Sequence, residues 1–371
     1  MRIGVPTEIK ADEYRIGMTP ASVREASHHG HQVFVQSKAG ETIGLHDADY
    51  TRAGATLVGS AEEVFANAEL IIKVKEPQPS EVQMLNDQHT LFTYMHLAPD
   101  PELTKSLCDS GCRAIAYETV TDSEGGLPLL APMSEVAGRM AAQAGAHCLE
   151  IEQGGRGMLL GGVPGTAPAK VTVLGGGVVG SNAARVALGM EADVTILDLS
   201  LRTLAELDTH FGPALNTIFS TVDAVHEFVL DADLVVGAVL IPGGATPTLV
   251  TEEMVQNMRK GSVLVDVAVD QGGCAETSRP TTHSNPTFRV HDVVHYCVAN
   301  MPGAVARTSA FALNNATLPF ALALADKGVN QALKDDEHLR NGLNVYQGTV
   351  TYEAVAESVD LSYVDAESVL G

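Results

Sequence analysis

Residues 171–198 constrain this chain more than any other stretch. They read Val171-Thr-Val-Leu-Gly-Gly-Gly-Val-Val-Gly180, then Ser181-Asn-Ala-Ala-Arg-Val-Ala-Leu-Gly-Met-Glu-Ala-Asp-Val-Thr-Ile-Leu-Asp198. An apolar strand runs into Gly175-x-Gly177-x-x-Gly180. A helix of small residues follows, and a second apolar strand ends in an acid. Each part has a physical task when a dinucleotide binds. Gly175 makes the tight turn. Gly177 lets the backbone approach a pyrophosphate, and Gly180 lets helix and strand pack closely. The helix N-terminus offers N–H groups and a positive dipole end to phosphate. Asp198 stands where a carboxylate accepts hydrogen bonds from ribose hydroxyls; it would repel a 2′-phosphate, so NAD is expected rather than NADP. A glycine-rich turn with only a packing role is the competing reading, and the complete order of parts weighs against it.

The rest of the chain alternates apolar runs with helix-like segments, which implies parallel α/β sheets. Ahead of the fingerprint, strands are expected at Arg2–Val5, Gln32–Gln36, Leu70–Val74, Thr90–Tyr94 and Arg113–Tyr117. Helices are expected at Thr19–His29, with Thr19 as cap and Pro20 in the first turn, and at Pro101–Ser110. A small-faced helix is expected from Ser134 to about Gln153. Strands recur at Lys170–Leu174, Asp193–Leu197, Thr217–Ser220, Asp233–Ala238 and Ser262–Val267. Helices rich in Ala and Leu close the pattern at Arg307–Ala325 and Val329–Arg340. The fold class expected is α/β, with two Rossmann-like domains built on doubly wound parallel sheets; 371 residues accommodate both.

A net charge of −23 argues against nucleic acid or an anionic membrane as partner. No apolar run reaches the length of a membrane span, and the opening residues lack the apolar core of a signal peptide, so a cytoplasmic location is expected. Five cysteines without paired spacing suggest no disulfide framework, and Cys108 and Cys112 lack the histidines of a zinc site. Cys274, in a glycine-rich loop, is a candidate reactive thiol. His291 and His295 have the spacing of a metal pair, but Val293, Val294 and Tyr296 read as strand, and no metal is expected.

Several polar residues fall where ligands bind in such sheets, at the carboxyl ends of parallel strands. Arg15, in Glu13-Tyr-Arg-Ile-Gly-Met-Thr-Pro20 after the first strand, is suited to capturing a carboxylate. Lys75 ends Leu70-Ile-Ile-Lys-Val-Lys75, and His96 ends Leu91-Phe-Thr-Tyr-Met-His96. A histidine there can exchange the proton that hydride transfer requires. Asp270 follows Ser262-Val-Leu-Val-Asp-Val-Ala-Val and precedes Gly272-Gly273, at the crevice end of the cofactor sheet. Asp266, inside the apolar run, reads as a buried and satisfied acid. The loop Pro242–Pro247 is placed to line the adenine or ribose side. Met133 and Tyr94 are candidates for shaping a small methyl pocket.

Together these residues closely resemble L-alanine dehydrogenases, a family shared with the NAD-binding component of proton-translocating transhydrogenases. The likeness rests on Gly4-Val-Pro-Thr-Glu-Ile-Lys with Glu13-Tyr-Arg-Ile-Gly-Met-Thr-Pro20, and on Val173-Leu-Gly-Gly-Gly-Val-Val-Gly-Ser-Asn-Ala-Ala-Arg-Val-Ala. It implies reversible NAD-dependent oxidative deamination of L-alanine to pyruvate and ammonium. It also implies a discontinuous substrate domain, residues 1–128 and 307–371, with an NAD domain at 129–306 inserted in it, and usually a hexamer. By resemblance Arg15 clamps the carboxylate, Lys75 polarises the keto oxygen, His96 is the general acid/base and Asp270 a second one. Met133 and Asn300 are counted with the substrate residues. Ser134, Val178, Val179, Asp198, Ser220, Val239, Leu240, Val267, Asp270, Arg279, Val298, Asn300 and Met301 fall at NAD-lining positions. Thr203 departs from a pattern in which lysine can occur. The rival readings are a transhydrogenase subunit and an amino-acid dehydrogenase of the saccharopine type.

Overall fold

The computed structural model describes residues 1–239 and 246–371. The chain divides into two compact units: Met1–Met133 with Val305–Gly371, and Ser134–Ala304.

The first unit carries β1 (Arg2–Val5), β2 (Gln32–Gln36), β3 (Thr56–Val58), β4 (Leu70–Ile72), β5 (Thr90–Thr93) and β6 (Arg113–Ala116). The second carries β7 (Lys170–Leu174), β8 (Asp193–Asp198), β9 (Leu215–Phe219), β10 (Leu234–Gly237), β11 (Val263–Asp266), β12 (Thr287–Val290) and β13 (Val293–Tyr296). The returning chain adds β14 (Leu343–Tyr346) and β15 (Thr349–Val350) to the first sheet. That sheet runs β15-β14-β6-β5-β4-β1-β2-β3, parallel from β6 to β3, with β14 antiparallel on β6. The second runs β12-β13-β11-β10-β7-β8-β9, parallel except for β12. In each, the first strand in sequence has parallel neighbours on both sides, so chain order reverses there. Helices cover faces made of Val, Ile and Leu, and strands such as β4, β5 and β11 are buried along their whole length.

Local chemistry sets the ends. Thr19 caps the helix Pro20–His28 by accepting from the Ser22 N–H. The small-faced helix spans Ala131–Cys148, shorter than the periodicity predicts, and a 3-10 turn at Ile151–Gln153 follows. Gly154 turns left-handed at φ +88°, and the N–H groups of Gly157 and Met158 fold back onto the Leu149 carbonyl. The helix expected at Val329–Arg340 breaks at Asp336, whose carboxylate accepts from the His338 and Leu339 N–H groups and starts a new turn. His291 and Asp292, at φ +48° and +63°, form the two-residue turn between β12 and β13.

Of the fingerprint glycines, two are demanded by the protein's own atoms. Gly175 sits at φ +99°, and a methyl group on Gly180 would run into the Gly175 carbonyl oxygen. A Cβ on Gly177 would meet no atom of the described residues within 4 Å, and its φ of −68° suits any residue. Gly180→Ala is therefore expected to lose about 1–3 kcal/mol to overpacking and to lower Tm, while Gly177→Ala leaves Tm unchanged. Equal Tm values for the two variants would contradict this account of the turn.

Candidate active site

In the first unit, β1, β4 and β5 lie side by side and parallel, so the segments that follow them leave by one sheet edge. Arg15, Lys75 and His96 lie on those segments. Arg15 is 2% exposed and its guanidinium is held by a carboxylate that sequence reasoning missed. Glu13 accepts from Arg15 Nε at 2.7 Å and Nη2 at 2.5 Å, while Nη1 points at the Met133 sulfur, 3.0 Å away. Burial alone would raise the Glu13 carboxyl, but the hydrogen bonds and charge of Arg15 outweigh it and hold it low. Burial likewise works against the Arg15 charge, and Glu13 restores it.

Lys75 is positioned from behind by buried charges. Lys73 Nζ lies 3.1 Å from Glu8 Oε2 and 2.8 Å from Glu81 Oε1. Glu8 also accepts from the Val74 N–H at 2.6 Å and the Lys75 N–H at 3.4 Å. The Thr93 hydroxyl donates to the Lys75 carbonyl. Burial pushes the Glu8 carboxyl up, and the Lys73 charge offsets part of that. Burial also works against the Lys73 ammonium, which Glu8 and Glu81 keep protonated. Lys75 has the opposite balance: burial and then the nearby Arg15 charge lower it below an ordinary lysine.

His96 is exposed, with φ at +49°. Its N–H donates to Glu118 Oε1 at 2.6 Å, and its Nδ1 is 3.9 Å from the same oxygen. Its ring stacks on Tyr94, the planes 7° apart. The buried Tyr94 hydroxyl in turn donates to the Leu129 carbonyl at 2.5 Å. Glu118, just past β6, and the Glu8–Lys73–Glu81 group carried no sequence signal, because they meet their partners only once the strands align. Glu13 could have been found, two residues from the arginine.

In the second unit the fingerprint follows β7, which lies between β10 and β8 at the point where strand order reverses. Ligands bind at such points. Gly177 precedes the helix Val178–Gly189, whose N-terminus no side chain among the described residues caps. Val178 is exposed and Val179 buried. Asp198 does more than end its strand: Oδ2 accepts from the Gly176 N–H and Oδ1 from the Ser200 N–H, both at 2.7 Å. The Ser220 N–H donates to the Asp198 carbonyl, and Thr203 lies beside Gly176. Glycines, Asp198, Thr203 and Ser220 are thus brought together. The open space at Gly177 and the uncapped helix end fit the phosphates of a dinucleotide.

Asp270 is exposed at the end of a 3-10 turn, Val267–Gln271, and accepts from the Asn300 N–H at 3.4 Å. That turn is anchored by Asp266, which is fully buried and accepts from the Ala268 and Cys274 N–H groups and the Ser278 hydroxyl. Val267 and Val239 are half-buried, as is Ser134 on the helix Ala131–Cys148. Arg279 stacks on Phe288 at 4.4 Å. Val298 and Met301 are buried in the core, at 1% and 2% exposure. Leu240 and most of the loop Pro242–Pro247 lie outside the described residues.

One expectation is corrected. Cys274 is fully buried, and burial with Asp266 beside it raises its thiol well above the ordinary value, which removes it as a reactive group. His291 and His295 do not pair: His291 bonds Glu252, whereas His295 bonds Thr277.

Residues 4–137 match the model of the alanine dehydrogenase/PNT N-terminal domain, and residues 141–353 that of the C-terminal domain. An alanine dehydrogenase of Halomonas elongata is 60% identical over 371 residues, 100% of both chains. One of Bacillus subtilis is 53% identical, over 100% of this chain and 98% of its own. A solved L-alanine dehydrogenase superposes with a TM-score of 0.94 at 49% identity, covering 97% of this chain and 99% of that one. A transhydrogenase from Sinorhizobium meliloti reaches 0.82 at 23% identity, over 95% of this chain and 100% of that one, a likeness of fold alone.

Truncating Lys73 would leave Glu8 and Glu81 buried without their cation. Lys73→Ala is expected to cost about 3–5 kcal/mol, read as a lower urea midpoint. A loss within the range of an exposed ion pair would mean that the triad does not hold this sheet edge.

Proposed function

This chain belongs to the alanine dehydrogenase/PNT family, and on that premise we propose that it is an NAD-dependent L-alanine dehydrogenase that interconverts L-alanine and water with pyruvate and ammonium. The family is one of dehydrogenases that use a nicotinamide cofactor. The observation that carries the substrate reading is the gathering of Arg15, Lys75 and His96 at one edge of a parallel sheet, with the buried Glu13 on the Arg15 guanidinium and the buried Glu8 on the Lys75 backbone. When bound, the dinucleotide supplies a two-electron acceptor for the hydride that leaves the alanine Cα. Gly177 and the first turn of Val178–Gly189 hold its phosphates, and Asp198 meets the ribose hydroxyls and disfavours a 2′-phosphate.

Arg15, kept charged by Glu13, takes the substrate carboxylate through its Nη1 edge, where Met133 now lies. Met133 and Tyr94 bound a pocket for the methyl group. Lys75 turns its ammonium to the keto oxygen of pyruvate and polarises it. His96 accepts a proton as the substrate amine is prepared for oxidation, then passes protons as water adds to the imine carbon and ammonia leaves. Asp270, with Asn300 at its carboxylate, stabilises the cationic imine and orients the water. By resemblance the enzyme works in the cytoplasm as a homo-oligomer, a hexamer in the bacterial pattern.

The deciding assay is reduced-dinucleotide formation from L-alanine, with glycine, L-serine and L-lysine alongside. Turnover is expected with L-alanine and NAD. His96→Ala is expected to lower kcat by at least about 100-fold while NAD affinity stays within twofold. A folded, NAD-binding protein with no alanine-dependent turnover would refute the reading, and full activity in His96→Ala would remove that residue from its role.

The lowered Lys75 ammonium gives a pH prediction with a definite sign. The charged form binds the keto acid, and its proton is lost at lower pH than from a free lysine, near 10.4. The pyruvate dissociation constant should therefore rise with pH, beginning below that value. Ionisation of ammonium does not enter such a binding titration. Affinity that stays flat up to the ordinary lysine range would exclude Lys75 as the keto-oxygen partner.

A further inference from the structure

At the far end of the helix Pro20–His28 the chain reads His28-His-Gly-His31. Gly30 takes φ +83°, and the His31 N–H returns to the Ala26 carbonyl, which closes the helix. This tight turn sets the His29 and His31 rings 6.4 Å apart. Both face Asp326, in the last turn of the helix Ala306–Lys327. His29 Nδ1 is 2.9 Å and 3.2 Å from the two Asp326 oxygens, and His31 Nε2 is 2.8 Å from Oδ1. One ligating atom from each residue falls within 4.8 Å of both others, and among the described residues this is the one trio of His, Cys, Asp or Glu that does so.

We propose that His29, His31 and Asp326 bind one divalent transition-metal ion, Zn²⁺ being the best fit, which ties the end of the first helix to the end of the long C-terminal one. Two imidazoles and a carboxylate are a donor set that zinc accepts, with water completing a tetrahedron. Zinc bonds of about 2.0–2.1 Å at tetrahedral angles separate ligand atoms by about 3.3 Å. The separations of 2.9 Å and 2.8 Å to the carboxylate therefore need to open by only a few tenths of an ångström. Side-chain exposures of 37% for His29 and 40% for Asp326 leave a path for the ion and its water, while His31, at 7%, is held in place. The Met1 amine, 3.2 Å from His31 Nδ1, fixes the ring so that Nε2 faces Asp326.

Sequence reasoning expected no metal. His29 and His31 are separated by one residue and their third partner stands at position 326, so no ligand-spacing motif exists to be read. The site lies on the first unit and uses none of the residues assigned to substrate or dinucleotide.

The test is equilibrium dialysis of tag-free, chelator-treated full-length protein against micromolar Zn²⁺, with bound metal counted and Tm recorded. Wild type is expected to hold one equivalent with a raised Tm. His29→Ala and Asp326→Asn, both at exposed positions, are each expected to weaken that binding at least about tenfold and to abolish the Tm rise. His226→Ala, an exposed histidine elsewhere, should behave as wild type. No bound equivalent in wild type, or equal zinc binding in the two ligand variants and wild type, would overturn the proposal. Circular dichroism without zinc separates loss of a ligand from loss of the fold.

Discussion

Parallel pairing of β-strands is the constraint from which the rest of this molecule follows. Parallel strands need crossovers, so every strand in a run starts at one edge and ends at the other. The segments carrying Arg15, Lys75 and His96 leave the first sheet at one edge for that reason, although they lie far apart in sequence. The same geometry in the second sheet brings the glycine turn after β7, Asp198 at the end of β8 and the 3-10 turn after β11 to a common end. Reversal of strand order at β1 and β7 then parts the loops on either side and opens a crevice.

At the edge proposed to bind substrate the protein accepts an electrostatic cost. Arg15 and Lys73 are almost completely buried cations. Removing such charges from water is expensive, and the attraction of a partner offsets it only where geometry is close and further hydrogen bonds are made. Glu13 meets Arg15 along one edge of the guanidinium, and Glu8 divides its oxygens between Lys73 and the backbone of the next two residues. Such pairs contribute little net stability, and their value lies in fixing where the charges point. Lys75, with no comparable partner among the described residues, is the group whose proton is loosened.

Much of this was legible in the sequence, and what was not has a common cause. The parallel strands were visible because buried runs such as Leu70–Ile72 and Val263–Asp266 are short, apolar and bounded by turn residues. The fingerprint was visible because its parts are contiguous. Asp266 was readable as a satisfied acid because nothing else tolerates a carboxyl within such a run. Glu118, Glu8 and Glu81 were invisible because each acts on a residue brought to it by another strand or turn. The ends of the helix Ala131–Cys148 were misjudged because small residues carry weak periodicity. The strands β14 and β15 were missed because residues 343–350 are polar at alternate places and short.

Asp198 is fastened to the glycine turn through the Gly176 N–H and to the next helix through the Ser200 N–H. The group proposed to read the ribose is therefore also a rivet of the loop proposed to hold the phosphates. Cofactor preference and loop architecture are inherited together. A redesign toward a phosphorylated ribose cannot simply delete the acid; it must first supply new acceptors for two backbone donors. Exchange of cofactor in this scaffold is a problem of rebuilding a hinge point before it is one of changing a charge.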